Sequence, residues 1–248
     1  MLENKPLFFL MTALVCILIG LSKGGLGGLL GTLTTPMMAL VMPPDQVVGL
    51  LLPLLMFADV FSVISYWKRW KWRLVLLLLP GGVAGVTLAT FFLTHSPTRT
   101  LRIGFGIIVL AFTLYKIFEK YILRWLPYQG RDWHGLLAGI LAGFSSGLAH
   151  AGGPPATIYL LLQKVTPIEF NATSVLFFAI LNWIKVPYYL YAHLFNLQSI
   201  LQIIWLAPII PVCVVIGRWA AGKTNRQLFE RIIVVLLLIT GLLLLFEK

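Results

Sequence analysis

Apolar residues run along this chain in stretches of about twenty, separated by short polar turns, and no stretch alternates from residue to residue. About twenty residues at 1.5 Å each cross the roughly 30 Å hydrocarbon layer of a bilayer, whereas a spanning strand needs only about ten residues of alternating character. The pattern therefore predicts helices, over 6–42, 46–66, 74–93, 101–118, 135–163, 168–191, 200–221 and 228–246. Two of these, 6–42 and 135–163, are interrupted. The first break, Gly20-Leu21-Ser22-Lys23-Gly24-Gly25-Leu26-Gly27-Gly28, holds five glycines in nine residues, and the second contains Gly143, Ser145, Ser146, Gly147, His150, Gly152 and Gly153. Glycine weakens a helix and lets other groups approach its backbone, so both breaks read as broken helices.

The two breaks belong to a longer similarity. At a constant offset of 123 residues, Gly20, Ser22 and Gly24 match Gly143, Ser145 and Gly147, and Pro44 matches Pro167. At the same offset Asp59, Ser62 and Tyr66 match Asn182, Lys185 and Tyr189, and spacings of three and seven place each trio on one helix face. The chain divides into a first repeat at 1–124, a linker at 125–134 and a second repeat at 135–248. Each repeat supplies one glycine-rich break and one polar-faced helix, as in secondary transporters whose sites lie at the bilayer midplane between repeats.

Composition narrows the classes. With 59% hydrophobic and 11% charged residues and a mean hydropathy of +0.94, the 248 residues make an integral membrane protein, not a soluble domain. The net charge of +11 lies in short loops and reads as a topology signal, so no nucleic-acid partner is expected. Cys16 and Cys213 lie inside apolar runs without ligand spacing, and neither a metal nor a cofactor is expected. The first apolar run lacks a basic leader with a small-residue cleavage site, and reads as mature structure.

Loop charge chooses between two topologies. If all eight runs cross, the repeats are parallel, and the cluster Lys68, Arg69, Lys71, Arg73 faces away from Arg218, Lys223, Arg226, Arg231. If each interrupted run is a re-entrant hairpin, each half has three crossings and the repeats are inverted. One side then collects both clusters with Lys116, Lys120, Arg124, Arg131 and Lys164, leaving Lys5, Arg99, Arg102 and Lys248 on the other. Cytoplasmic loops carry the excess of Lys and Arg, which favours the inverted arrangement with both termini outside the cytoplasm. The expected fold is thus all-α: two inverted repeats, each a broken hairpin plus three transmembrane helices. Trp67, Trp70 and Trp72, mixed with lysine and arginine, read as an interfacial anchor.

Intramembrane polar groups mark the candidate site. Lys23 needs water, a counter-charge or an anion, since an ammonium at membrane depth costs roughly 2.5–3.5 kcal/mol. It can serve a substrate anion, snorkel to the interface, or pair with Asp59. Asp59 can carry a coupling ion or hold that pair, because an unpaired aspartate would repel an anion. Ser22, Gly24, Gly25, Ser145, Ser146, Gly147, Gly152 and Gly153 offer hydroxyls and close backbone approach at the two breaks, where exposed N–H groups and helix dipoles attract anions. The glycines serve helix packing equally well. His150, Asn182 and Lys185 complete the candidates. His150 can also be a structural histidine bonded to backbone, and Lys185, two residues before Pro187, can reach the interface.

The chain resembles the sulfite exporter TauE/SafE family, also called the toluenesulfonate uptake permeases. The resemblance covers essentially the whole chain. It rests on Gly20-Leu21-Ser22-Lys23-Gly24-Gly25 with Thr35-Pro36, on Leu52-Pro53-Leu54 with Asp59, and on Tyr66-Trp67-Lys68-Arg69-Trp70-Lys71-Trp72. Leu79-Pro80-Gly81 with Gly85, and Gly143-Phe144-Ser145-Ser146-Gly147 with Gly152-Gly153-Pro154-Pro155, complete it. It implies a multi-pass transporter of the bacterial inner membrane for sulfur-containing anions such as sulfite, sulfonates and sulfoacetate, with a small anionic substrate and the lipid bilayer as partners. The expected function is export by alternating access, through relative motion of the two repeats. A passive anion channel is the alternative. An intramembrane enzyme using Ser145 and His150 is a further one, but no HExxH, GxSxG or P-loop ending is present and no enzyme is expected.

Overall fold

The structure, a computed structural model, describes residues 5–26, 28–125, 131–220 and 226–246. Gly27, residues 126–130 of the expected linker, and the side chains of Lys5, Lys120, Arg124, Lys223, Arg226 and Lys248 counted in the charge argument lie outside the described residues. Among the described residues all regular structure is helical.

Helix α1 (Lys5–Leu21) stops at the polar break, and a wide turn over Ser22–Leu26 leads into α2 (Gly28–Ala39). Gly25 takes φ 120° there, a conformation that a side chain would strain, so the break requires glycine at this position. The chain then doubles back, since Thr12 Oγ1 of α1 lies 3.9 Å from Met38 Sδ near the end of α2. Helix α3 (Pro44–Ser65) follows, with proline at its first position, then α4 (Trp72–His95) and α5 (Thr98–Trp125). Helix α6 (Asp132–Ala149) ends at His150, whose left-handed backbone (φ 49°) lets the His150 and Ala151 N–H groups cap the Ser146 and Ser145 carbonyls at 3.0 and 3.1 Å. Pro154 and Pro155 open α7 (Gly153–Leu161), which also folds back. A Cβ at Gly135, near the start of α6, would lie 3.0 Å from the Tyr159 ring near the end of α7.

A capping box between Thr166 and Glu169 starts α8 (Pro167–Tyr191). The run expected as one helix over 200–221 is instead α9 (Leu197–Ile203), a tight turn, and α10 (Ile209–Ala220), bent by 53°. Pro208 lacks the N–H to continue the first helix, and the chain bends there. Helix α11 (Arg226–Phe246) closes the chain. Helix α5 outruns its apolar stretch at 101–118, because Lys116 and Glu119 pair three residues apart at 2.5 Å and carry the helix onward. Among the described residues, five helices are long and apolar enough to cross a membrane, the first of them Pro6–Leu26 in the first hairpin, and the bent α9–α10 pair makes a sixth candidate.

Packing crosses the sequence halves. Helices α3 and α8 lie antiparallel: Gly49 packs on Leu194, Asp59 bonds Asn182, and Lys71, just past α3, donates its N–H to Thr173 at 3.0 Å. The second hairpin packs on α4, where a Cβ at Gly81, Gly85, Gly139 or Gly143 would fall 2.1–2.2 Å from a carbonyl oxygen of the facing helix. Small residues allow that approach, and dispersion across it holds membrane helices together. The first hairpin packs in the same way on α10, with Gly20 against Cys213 and Gly24 against the Val214 carbonyl. Each hairpin is thus seated on a helix from the other half of the chain.

One end of the bundle gathers the basic loops. Arg73 forks onto Asp132 at 2.8 Å, and Lys71 reaches Glu169 at 2.7 Å, so the starts of α4, α6 and α8 lie together there. Exposed pairs of this kind contribute about 0–1 kcal/mol each, so they mark position more than stability. Exposed Trp67 and Trp72 stand beside them, where their rings suit a membrane boundary.

Candidate functional site

Between the hairpins, α3, α5, α8 and α11 lies a cavity of about 480 Å³. Its inner end is lined by Ser22, Lys23 and Gly25 from the first break, by Ser146, His150 and Gly153 from the second, and by Asn182 of α8. Its lining continues through Tyr66 after α3, Lys116 and Glu119 of α5, Leu161 at the end of α7 and Pro167 at the start of α8, all toward the end with the basic loops. The lining at the mouth is apolar in part, with Val165 and Phe170.

A single hydrogen-bonded chain runs behind the inner end. The Lys23 ammonium donates to Asp59 Oδ1. Asn182 Nδ2 donates to Asp59 Oδ2 at 2.7 Å, and Asn182 Oδ1 accepts from Lys185 Nζ at 3.1 Å. Lys185 also donates to Ser146 Oγ at 2.7 Å and meets His150 Nδ1 at 3.3 Å. His150 Nδ1 therefore accepts, and Nε2–H donates to the Val48 carbonyl at 3.0 Å. Three acceptors converge on Lys185 Nζ, enough to take all three protons of its charged form in a side chain with 0% exposure. With both lysines protonated and Asp59 ionised, the cluster is formally positive by one. Below them, Ser62 Oγ lies 3.3 Å from the Lys23 carbonyl and fixes the first break to α3.

The candidate residues separate into three groups. Ser22, Lys23, Gly25, Ser146, His150, Gly153 and Asn182 face the cavity. Asp59 and Lys185 are buried behind it and are joined to it through Lys23 and Asn182. The rest are occupied elsewhere: Ser145 Oγ donates to the Leu141 carbonyl at 2.6 Å, and a Cβ at Gly24 or Gly152 would come within 2.4 Å of a neighbouring carbonyl. Gly147 meets Ala89 in the α4 contact, and its carbonyl accepts from Tyr189 Oη at 2.5 Å. Ser145 and His150, the imagined nucleophile and base, thus have separate partners.

Sequence reasoning missed the α8 stripe of Asn171, Ser174 and Phe178, which lines the cavity below Asn182. Stepping back from Asn182 by four, four and three would have found it, because those steps keep one helix face. It also missed Tyr115 and Thr157 as wall residues, and placed Tyr66 on the polar face of its helix without counting it in the site. Tyr66 lies just outside α3, and burial pushes its phenol above the usual range, partly offset by Arg218. It stays protonated at neutral pH.

Fold and site together define a polytopic membrane protein with a polar, positively biased cavity that reaches the bundle interior from one end. The family model described as sulfite exporter TauE/SafE matches residues 12–244, nearly the whole chain, and the protein belongs to that family of membrane transporters for sulfur oxyanions. No curated protein and no solved structure matches the chain.

Proposed function

We propose that this protein carries sulfite or an organic sulfonate out across the bacterial inner membrane by alternating access. The observation that carries the reading is Lys23: an ammonium at a helix break, facing a cavity whose opposite wall comes from the second break through Ser146, His150 and Gly153. A sulfur oxyanion presents several acceptor oxygens, and the inner end offers several donors. These are the Lys23 protons not given to Asp59 and the Ser146 hydroxyl, whose oxygen accepts from Lys185 while its proton is left to donate. Gly153 opens α7 at the same end, so the helix dipole adds to the attraction.

Two inverted repeats account for matching contacts in the two halves. Positions 23 and 62 touch, and so do 146 and 185, each pair 39 residues apart. With the basic loops in the cytoplasm, both termini lie outside it and the cavity stands open inward. Because each hairpin is packed on a helix of the other half, the moving bodies would be α4 with α6–α7 and α10 with α1–α2, not the sequence halves themselves. A lining that reaches only one end suits a carrier better than a pore. An inside-negative potential of 100 mV drives a monovalent anion outward with about 2.3 kcal/mol, so export needs no coupled ion.

The test is efflux of sulfite and sulfoacetate from proteoliposomes holding wild-type protein, Lys23→Ala or Lys23→Gln. Saturable flux in the wild type, lost at least tenfold in both variants with folding intact, is expected. Wild-type flux in both variants removes Lys23 from the site, and flux linear in concentration replaces the carrier with a channel.

A further inference from the structure

Lys23 meets the cavity on one side and Asp59 on the other. Asp59 does not line the cavity; its two oxygens are divided between the Lys23 ammonium and the Asn182 amide. Building on the transport reading, we propose that Asp59 is a resident substitute for the substrate anion: it neutralises Lys23 in the empty carrier, and an incoming sulfur oxyanion displaces it.

Both states keep every charge partnered. In the empty carrier Lys23 holds Asp59, so the break can move through the low-dielectric interior without a bare ammonium. When an oxyanion takes Lys23, the carboxylate retains Asn182 at 2.7 Å, and Lys185 lies directly behind that amide at 3.1 Å. Asn182 bridges the two groups, its amide end on Asp59 and its carbonyl end on Lys185. It therefore holds the freed carboxylate near a second cation. The charged groups facing Asp59 are Lys23 from the first break, in direct contact, and Lys185 from α8, behind Asn182. Of these, Lys23 alone both contacts Asp59 and lines the cavity.

This assigns Asp59 to the return of the empty carrier, not to contact with substrate. Exchange of anion for anion needs only loaded carriers to reorient; net efflux needs the empty one to return as well. Removing the carboxylate should separate the two.

The experiment compares sulfite–sulfite exchange with net sulfite efflux in proteoliposomes of wild type, Asp59→Asn and Asp59→Glu, together with sulfite affinity from thermal shift of the purified proteins. Asp59→Asn should keep exchange while net efflux falls at least tenfold, and should bind sulfite several-fold more tightly because the internal competitor is gone. Asp59→Glu should restore net efflux. Exchange and net efflux falling in parallel, net efflux unchanged, or weaker binding in Asp59→Asn overturns the proposal. So does a wild-type infrared difference spectrum without a carboxylate shift on sulfite addition, a measurement that does not depend on the variant folding. Wild-type vesicles that neither move nor bind sulfite or sulfoacetate would instead remove the transport reading itself.

Discussion

Asp59 and Asn182 occupy the same place in the two halves of the sequence, 123 positions apart, and they touch: Asn182 Nδ2 donates to Asp59 Oδ2 at 2.7 Å. Matched residues meet in this way only where matched elements cross, and α3 and α8 do cross there in opposite directions. The difference between the pair is chemical. One is a carboxylate with a lysine beside it, and the other is an amide whose two ends serve the carboxylate and a second lysine.

Making the pair identical should therefore be costly. Asn182→Asp places two carboxylates within hydrogen-bond distance and changes the formal charge of the cluster from plus one to zero. Sulfite affinity should drop at least tenfold at neutral pH and recover in part as the pH falls toward the carboxylate range, because one shared proton relieves the repulsion. A thermal-shift titration at several pH values checks it; affinity equal to wild type at neutral pH would show that the cluster charge does not reach the substrate.

The glycine contact between α4 and α6 predicts a stability difference between two Gly→Ala changes. At Gly143 the new Cβ would lie 2.2 Å from the Gly82 carbonyl oxygen, and backbone must move; overpacking of this kind costs about 1–3 kcal/mol. At Gly104 the nearest atom is the Phe92 ring at 3.6 Å, so the helix propensity gain of up to about 1 kcal/mol is kept. Thermal unfolding in detergent should put Gly143→Ala below wild type and Gly104→Ala at or above it.

Much of the architecture was legible because it is written in run length and in glycine. Twenty apolar residues mean a spanning helix, and the breaks at Ser22 and His150 fall where glycine and proline cluster. The Lys23–Asp59 contact was readable as one of several alternatives, since two opposite charges at membrane depth have few other partners. What periodicity alone does not give is the long-range pairing. Nothing in the local sequence says that Gly81 and Gly85 serve α6, or that Gly20 and Gly24 serve α10, because a small residue has the same signature whether it admits a ligand or another helix. For the same reason Ser145 and Gly147 looked equal to Ser146, although a rotation of 100° per residue separates the cavity face from the α4 face.

The one-ended cavity predicts sided chemistry. In a background with Cys16 and Cys213 replaced, Ser174→Cys on the α8 wall should react with a membrane-impermeant thiol reagent from the end carrying Lys71 and Arg73, and not from the end carrying Arg99. Sulfite should slow that labelling if it occupies the inner end of the same space. Labelling from both faces at equal rates would place a continuous pore where the lining now reaches one end.

Lys185 makes the sharpest structural prediction, since it is fully buried and its three protons meet Ser146 Oγ, Asn182 Oδ1 and His150 Nδ1 at 2.7, 3.1 and 3.3 Å. Lys185→Met keeps the length of the side chain and leaves three acceptors without a donor, a loss of about 1–3 kcal/mol for each that finds no water. Its thermal stability should fall well below that of Lys23→Gln, whose remaining partners reach the cavity. Lys185→Arg should not restore it, because a guanidinium spreads its donors over a plane while these acceptors converge on one nitrogen. An arginine variant as stable as wild type would mean that the three contacts merely tolerate a cation, and the link from Asn182 to the second break would lose its role in holding the site together.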